Sequence, residues 1–440
     1  MQTEDLGRTF STPTLAYQAD LENERRWLSF DLLCGRVDRT RPWWEILRGY
    51  GVTDAELGWF LDNPCPPDIL GVNHYLNSER FLDERQERYP SWSHGGNERH
   101  AYADVEAVRV RPPDLTGPYP RLREAWERYG IPIAVTEAHH GSTREEQARW
   151  LLEVWNDVRD LRDEGADIRA VTIWSLFGAY DWVSLLTRQD SFYEPGAFDV
   201  RGPSPRPTAI ARVVRDLAAG RDPAHPVLDV PGWWRRPVRA HYPPVEVPIA
   251  GPTHPYTFKR ARPGDTPWPL LITGASCPLG QAFARACDAR GLPYRLSTMG
   301  EMENDILAAI LRDLAAGRVV VAAGDTMGSP TYAHDLAAAS LDLLVDEEQG
   351  VWRLAPPEAL TPAEFVRRAA RLAGLDLGRV ESRPTPSSTF TAPRPPYSAL
   401  GTTRSVVLPP LDDALARYLR EGTIPEAATE DETRLAGTSA

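Results

Sequence analysis

Three stretches of the N-terminal half decide the fold: Asp68-Ile-Leu-Gly-Val-Asn-His-Tyr75, Ile131-Pro-Ile-Ala-Val-Thr-Glu137 and Val171-Thr-Ile-Trp174. Each contains a short apolar run that ends on polar or aromatic residues, and amphipathic helical patterns separate one run from the next. Short buried strands that alternate with helices indicate βα units and a parallel sheet. In such sheets, the residues just past the carboxyl end of each strand are the expected site residues.

The C-terminal half opens with a second pattern, Leu270-Leu-Ile-Thr-Gly-Ala-Ser-Cys-Pro-Leu-Gly280. Its order of strand, glycine turn and helix is typical of the start of a dinucleotide-binding unit. Further strands are predicted at 293–296 and 319–323, with a helix at 306–314 between them. The fold class is therefore predicted to be α/β in both halves.

Proline density divides the chain. Residues 222–269 contain twelve prolines, which excludes a long helix or a central strand there and indicates a semi-rigid linker. The predicted domains are then 1–221 and 270–425. The tail at 426–440 is rich in Ala, Thr and Glu and is predicted to be disordered.

Composition excludes several classes of function. The 440 residues have room for two or three domains, and the net charge of −13 disfavours nucleic acid or anionic membrane as the main partner. We expect no membrane span and no signal peptide, because no uncharged apolar run reaches about 18 residues and the first residues are neither basic nor apolar. The four cysteines form no Cys-x-x-Cys pair, so we expect thiols in a reducing cytoplasm and no zinc site.

The N-terminal motifs resemble the C-terminal half of a family 1 glycoside hydrolase, a retaining β-glycosidase on a (β/α)8 barrel. The resemblance covers about residues 1–218. It rests on Asn73-His-Tyr75, on Thr136-Glu137 and on Trp174-Ser-Leu-Phe-Gly-Ala-Tyr-Asp-Trp182. It implies a partial (β/α)8 (TIM-type) barrel that hydrolyses O-glycosyl bonds.

The resemblance also implies roles for individual residues. Glu137 matches the nucleophile and Tyr75 the tyrosine that hydrogen-bonds it. The sugar-binding residues would be Asn73, Trp174, Asp181 and Trp182. Aromatic faces suit sugar rings, and a carboxylate grips sugar hydroxyls through charge-assisted hydrogen bonds.

The glycosidase pattern is incomplete. A retaining glycosidase needs two carboxylates, and the Asn-Glu-Pro motif that carries the family's acid/base does not occur in this sequence. A full barrel also takes about 250 residues. We therefore expect an upstream half barrel, a partner or self-association to complete the domain. The neighbouring His139 and His140 could suggest a metal pair, but a solvated or packed loop is the preferred interpretation.

The C-terminal motifs are similar to dTDP-4-dehydrorhamnose reductase and related sugar-nucleotide reductases over about 270–425. They comprise the glycine turn, Gly328-Ser-Pro-Thr-Tyr-Ala-His-Asp335 and Arg394-Pro-Pro-Tyr-Ser398. The resemblance implies a shortened Rossmann-like NAD(P)-binding domain with a small lobe for the sugar nucleotide. Gly274, Cys277 and Gly280 would bind the cofactor, with Cys277 in place of the family's middle glycine.

The reductase pattern is incomplete too. The family is expected to use Tyr-x-x-x-Lys, and Lys259, the one lysine of the chain, is not part of such a motif. Three hypotheses stay open. The chain belongs to a carbohydrate-active fusion of a β-glycosidase with a sugar-nucleotide reductase-like domain, or it is a non-catalytic binder of nucleotide sugar or NAD(P), or it is a structural protein whose sites have decayed. Whether it is an enzyme on its own stays open with them.

Overall fold

The computed structural model describes residues 1–110, 117–189, 192–243, 245, 270–297, 306–385, 395–402, 404 and 408–421. The chain forms two compact units. The first comprises Met1–Gly178, Glu194–Ala197 and Thr208–Pro267, and the second Ala179–Tyr193, Phe198–Pro207 and Trp268–Ala440. The domain boundaries predicted from the sequence stay a prediction. Lys259 and the predicted disordered tail lie outside the described residues.

The described part of the first unit contains eight strands and seven α-helices. In chain order they are β1 (Gln2–Asp5), β2 (Arg8–Ser11), α1 (Ala16–Arg25), α2 (Leu28–Leu33), α3 (Pro42–Gly49), α4 (Asp54–Asp62), β3 (Leu70–Asn73), β4 (Glu79–Asp83), β5 (His94–Gly96), β6 (Ala101–Glu106), α5 (Pro118–Tyr129), β7 (Ile133–Ala138), α6 (Arg144–Asp163), β8 (Ile168–Ile173) and α7 (Ala209–Ala218).

The main sheet of the first unit has four parallel strands in the order β1-β3-β7-β8. Strands β3, β7 and β8 correspond to the three apolar runs of the sequence. The predicted α/β class is confirmed, and four parallel strands are half of the eight that a closed barrel needs. The partial-barrel assignment goes beyond this sheet and stays a prediction.

Strand β1 is not apparent from the sequence, because Gln-Thr-Glu-Asp is polar throughout. It forms an edge of the sheet, and its side chains are only partly buried or exposed. An edge strand can therefore be polar. Strand β1 lies close to β3, because a Cβ added at Gly71 would lie 2.2 Å from Oγ1 of Thr3. A glycine on β3 thus makes room for β1.

A second, mixed sheet of the first unit has the order β2-β4-β6-β5. Strands β2 and β4 are parallel, whereas β6 is antiparallel to both of its neighbours. Phe10, Phe81 and Val105 form its buried core. No strand of this sheet was predicted.

The segment that follows α7 packs against helix α6. Glu146 and Glu153 lie two turns apart on α6 and therefore share one face. Arg235 forms an ion pair with Glu153 at 2.5 Å, and Arg236 one with Glu146 at 2.6 Å. The indole Nε1 of Trp234 donates to Glu153 Oε2 at 2.9 Å. This described part of the predicted linker is thus fixed by buried ion pairs and aromatic packing.

The second unit contains short strands and five helices within its described residues. They are β9 (Ala179–Tyr180), β10 (Tyr193–Glu194, whose second residue belongs to the first unit), β11 (Phe198–Asp199), β12 (Arg206–Pro207), β13 (Leu270–Thr273), α8 (Pro278–Arg290), β14 (Tyr294–Ser297), α9 (Ile306–Ala315), β15 (Val320–Ala323), α10 (Ala333–Val345), α11 (Pro362–Leu372), β16 (Val380–Arg383) and α12 (Leu411–Glu421).

Strands β13 and β14 form one parallel pair, and β15 and β16 another. The predicted strand, turn and helix at 270–290, the strand near 293–296 and the helix from 306 are observed. A doubly wound Rossmann sheet has about six strands, and the described part of this unit contains no sheet of that size. No described helix is both long and apolar enough to cross a membrane.

Candidate functional site

The carboxyl ends of β1, β3 and β7 bring the predicted residues of the first unit together. Asn73, the last residue of β3, pairs in register with Glu137 on β7. The preceding pair is Val72 with Val135, so Thr136 is an extra residue on β7 and forms a β-bulge. Its hydroxyl donates to Asn73 Oδ1 at 2.6 Å. Bulges redirect side chains, and this one sets the direction of Glu137.

The Glu137 carboxylate accepts a side-chain hydrogen bond at this edge. The hydroxyl of Tyr75 donates to Glu137 Oε2. The hydroxyl therefore holds one carboxylate oxygen. Both side chains are half-buried. The structure thus brings together Asn73, Tyr75 and Glu137, three of the residues named from the sequence.

His139 adds a positioned imidazole beside this pair. Its Nδ1 lies 2.8 Å from the carbonyl oxygen of Trp174, and its Nε2 lies 2.6 Å from Oε1 of Glu194. The His139 ring meets the Tyr75 ring edge-on, with centroids 6.5 Å apart. The two acceptors hold the His139 ring in place, and the ring packs edge-on against Tyr75. Glu194 was not identified from the sequence, because nothing local marks it.

The electrostatics of Glu137 depend on its neighbours. Burial raises the pKa of Glu137, the negative charge of Asp5 raises it further, and the charge of His139 lowers it. Asp5 ends β1 and pairs in register with Asn73. Asp5 was not identified from the sequence, because the strand that carries it is polar. A carboxylate directly after a short extended segment was the one signal available.

Asp5 and Tyr75 line the same cavity, which has a volume of about 690 Å³. Arg8 and Asn23 also line it. The cavity is lined mainly by polar and charged residues, and Glu137 is not one of the described residues that line it.

The remaining predicted sugar-binding residues lie elsewhere in the chain. Trp174 follows β8 and contributes its carbonyl oxygen to His139. Asp181 and Trp182 belong to the second unit. Asp181 has a left-handed backbone (φ 53°), and its Oδ1 accepts from the Phe192 amide at 2.7 Å. The Trp182 side chain is 50% exposed. Their role as a sugar-binding wall stays a prediction.

His140 has a structural role. Its Nε2 accepts a hydrogen bond from Nε1 of Trp233 at 2.6 Å, and its ring packs against Trp233 and Trp234. Burial lowers the pKa of His140 to about 3, with smaller contributions from His139 and Arg109. Among the described residues, no group of three or more His, Cys, Asp or Glu side chains is arranged to hold a metal ion.

The glycine turn of the second unit keeps two of its three glycines. Gly274 has φ +75°, and a Cβ at Gly280 would lie 2.2 Å from the Gly274 carbonyl oxygen. Both positions therefore require glycine.

Cys277 occupies the position where the family's middle glycine allows the pyrophosphate to approach. It is the N-cap of α8, and its Sγ accepts from the Gly280 amide at 3.3 Å. The side chain thus fills the approach and uses an amide that a phosphate would need. The residues of this turn do not fit a dinucleotide bound in the manner of the family.

Two sequence motifs of the second unit meet at a cavity of about 910 Å³. Gly328 and Ser398 belong to motifs 70 residues apart, and both line the cavity. The Ser398 amide donates to the Met327 carbonyl at 2.8 Å, and the Leu400 amide donates to Ser329 Oγ at 3.0 Å. The motifs that resemble the reductase family thus surround one binding-sized space.

Comparisons with known proteins bear mainly on the second unit. Residues 259–421, less than half of the chain, match the model of the RmlD substrate binding domain. This match supports a dTDP-4-dehydrorhamnose reductase-like domain there. No curated protein matches the chain.

Solved structures similar to part of the chain are glycosidases. The β-glucosidase from Thermotoga maritima in complex with noeuromycin has 15% identity and a TM-score of 0.34, covering 45% of this chain and 44% of that chain. The β-glycosidase from the hyperthermophile Thermosphaera aggregans has 17% identity and a TM-score of 0.34, covering 49% and 42%. The chain spans less than half the length of both. What the comparisons show is that the C-terminal part of the chain is similar to the substrate-binding domain of dTDP-4-dehydrorhamnose reductases.

Proposed function

We propose that this protein acts on carbohydrates and that its first unit binds a glycoside around Glu137. The observation that carries the proposal is the hydrogen bond from Tyr75 to Glu137 at the carboxyl edge of a parallel sheet. The hydroxyl holds one carboxylate oxygen and leaves the other for a sugar. The half-buried setting strengthens polar contacts to a bound ring.

The reaction that suits this site is the hydrolysis of an O-glycosyl bond. Glu137 is the reacting carboxylate, and the resemblance to family 1 glycoside hydrolases assigns it the role of nucleophile. Tyr75 orients it, and Asn73 and Trp174 contribute to sugar binding. An upstream half barrel, a partner or a second copy would close the open sheet, and the protein would work in the cytoplasm.

Kinetics with aryl glycosides test the proposal. The full chain is incubated with a panel of p-nitrophenyl β-glycosides, and nitrophenol release is followed. The Glu137→Gln variant keeps the shape and removes the charge, so we expect turnover to be abolished. The matched control is Glu98→Gln, an exposed glutamate of the same unit, which should leave the rate unchanged. Equal turnover by wild type and Glu137→Gln would reject the role of Glu137.

A second candidate function belongs to the other unit. The match to the RmlD substrate binding domain and the cavity between the Gly328 and Ser398 motifs favour binding of a nucleotide-linked sugar. Because Cys277 fills the pyrophosphate approach, we propose binding without the NAD(P) that such reductases use. This is the non-catalytic alternative.

Calorimetry separates these ligands. We expect heat of binding with a dTDP-sugar and none with NADPH or NADH. The Cys277→Gly variant restores the family's glycine and serves as the positive control for dinucleotide access. Binding of NADPH by the wild-type protein would contradict the interpretation of Cys277, and no heat with any dTDP-sugar would contradict the binding function.

A further inference from the structure

A second cavity of the second unit adjoins the one that Gly328 and Ser398 line. It has a volume of about 640 Å³, and each of the helices α8 to α12 contributes side chains to its lining. Pro330 and Phe365 line both cavities, so the two share a wall. Apolar and aromatic side chains form most of the lining, with a small number of polar groups among them. The size and the lining are those of a small-molecule site.

Arg285 of α8 lines this cavity, and among the described residues it has no carboxylate partner. Its Nε and Nη2 atoms donate to Nε2 of His334, at 3.2 and 2.9 Å. Burial lowers the pKa of His334, and the charge of Arg285 lowers it further. The imidazole is therefore neutral and accepts these hydrogen bonds. The bonds hold the guanidinium in place and leave its positive charge uncompensated.

One edge of the Arg285 guanidinium remains for a ligand. The planar fork has more N–H groups than the two that His334 takes up. Those that remain, on Nη1 and Nη2, form an edge that matches two oxygens of a phosphate. The nearby Arg417 of α12 is used differently, because it pairs with Asp335 through two hydrogen bonds of 2.6 and 2.8 Å. Arg285 is therefore the cation that the described lining offers to an anion.

Aromatic side chains continue from Arg285 along the cavity. The ring of His334 packs against that of Tyr332, with centroids 4.8 Å apart, and the Tyr332 hydroxyl donates to Glu421 Oε2. The Tyr418 ring meets the Tyr332 ring edge-on, with centroids 6.3 Å apart. Contacts thus connect Arg285, His334, Tyr332 and Glu421 in that order, and all four residues line the cavity. Two rings therefore separate the cation from the carboxylate.

From this arrangement we propose that the cavity binds a nucleoside monophosphate group, with its phosphate on Arg285 and its base against Tyr332 and Tyr418. Aromatic side chains stack on the π-face of any base, and the Glu421 carboxylate accepts a hydrogen bond from a base N–H. The group is either a free nucleotide or the nucleotide end of a sugar nucleotide whose sugar occupies the adjoining cavity. The site requires neither a glycoside at Glu137 nor a sugar in that adjoining cavity.

The proposed site differs from a dinucleotide site at the glycine turn. In a dinucleotide site, main-chain amides at the start of the helix hold the pyrophosphate. In this chain, the Gly280 amide already donates to Cys277 Sγ. In the proposed site, the Arg285 side chain holds the phosphate further along α8. One guanidinium suits one phosphate group, so we expect a mononucleotide to bind and NADPH not to bind.

Calorimetry on the full chain tests the site with dTMP as the probe. Thymidine lacks the phosphate and inorganic phosphate lacks the base, so each should bind at least about tenfold more weakly than dTMP. Arg285→Gln removes the charge and should reduce the affinity for dTMP by about 10- to 100-fold, the size of a charged hydrogen bond. Arg285→Lys keeps the charge without the fork and should have an intermediate affinity. The matched control is Arg371→Gln, at an exposed arginine of α11 outside the cavity, which should bind dTMP as the wild type does.

Three results would overturn the site: no heat with dTMP, equal affinity for thymidine and dTMP, or equal affinity of wild type and Arg285→Gln for dTMP. Arg285 is exposed, so its variants should fold, and an unchanged thermal midpoint checks this. Displacement of dTMP by dTDP-glucose would identify the nucleotide end of a sugar nucleotide as the occupant, whereas binding of both together would identify a free nucleotide. A protein that binds dTMP but no dTDP-sugar rejects the function proposed for the adjoining cavity and supports this inference.

Discussion

Replacing His140 by Gln should reduce the amount of stability that the first unit loses when the pH is lowered. The His140 ring accepts a hydrogen bond from Trp233 and packs between two tryptophans. A protonated ring could not accept that bond, and the aromatic surroundings solvate the charge poorly. Burial accordingly lowers the pKa of His140 from 6.5 to about 3.

The sign and size of the effect follow from linkage. Below pH 6.5 the unfolded chain takes up a proton at His140, whereas the folded chain takes it up only near pH 3. The free energy of unfolding therefore falls as the pH falls through this range, by up to about 1.36 kcal/mol per pH unit. At pH 5 the loss amounts to about 1–2 kcal/mol, because the ring is only half-buried and solvent screens part of the shift.

Urea unfolding at pH 7.5, 6 and 5, followed by tryptophan fluorescence, measures this loss. The His140→Gln variant keeps an acceptor for the Trp233 indole but does not titrate, so its stability should fall less steeply with acid than that of wild type. The control is His241→Gln, at an exposed histidine of the same unit, which should follow the wild type. Parallel pH curves for wild type and His140→Gln would refute the reasoning.

Three further substitutions have defined outcomes. Glu153→Ala removes the buried carboxylate that pairs with Arg235 and accepts from the Trp234 indole, and it should cost about 3–5 kcal/mol in urea unfolding. Glu127→Ala, at an exposed helix pair, should cost less than about 1 kcal/mol. Gly280→Ala puts a Cβ 2.2 Å from a carbonyl oxygen of the glycine turn and should destabilise the second unit by about 1–3 kcal/mol in thermal unfolding. Thr53→Ala removes a capping box and should cost about 1 kcal/mol by the same measurement, and an unchanged midpoint would contradict the role of the cap.

The sequence predicted those parts of the fold in which local chemistry and burial agree. Strands β3, β7 and β8 are short apolar runs, and each is observed where the sequence predicts a strand. The strand predicted at 293–296 is displaced by one residue, because β14 spans Tyr294–Ser297. Local signals of this kind predict the presence of an element better than they predict the residue at which it begins.

Elements whose stability comes from pairing were not predictable. Strand β1 is polar because it lies at a sheet edge, and Asp5, which ends it, was missed with it. Glu194 contacts His139 although the two residues are far apart in the chain, and no spacing rule connects them. Glu137 and Tyr75, in contrast, follow predictable strands, so the centre of the candidate site could be named and its margins could not.

The docking of the segment after α7 also bears on how the first unit folds. Glu153 and Arg235 are 82 residues apart in the chain, so their ion pair closes a long loop. The conformational entropy of that loop must be lost before the contact forms. We expect this contact to form after the folding transition state. A destabilising substitution of Glu153 should then accelerate unfolding of the first unit and leave its folding rate nearly unchanged. The buried glutamates of α6 thus slow the unfolding of the first unit.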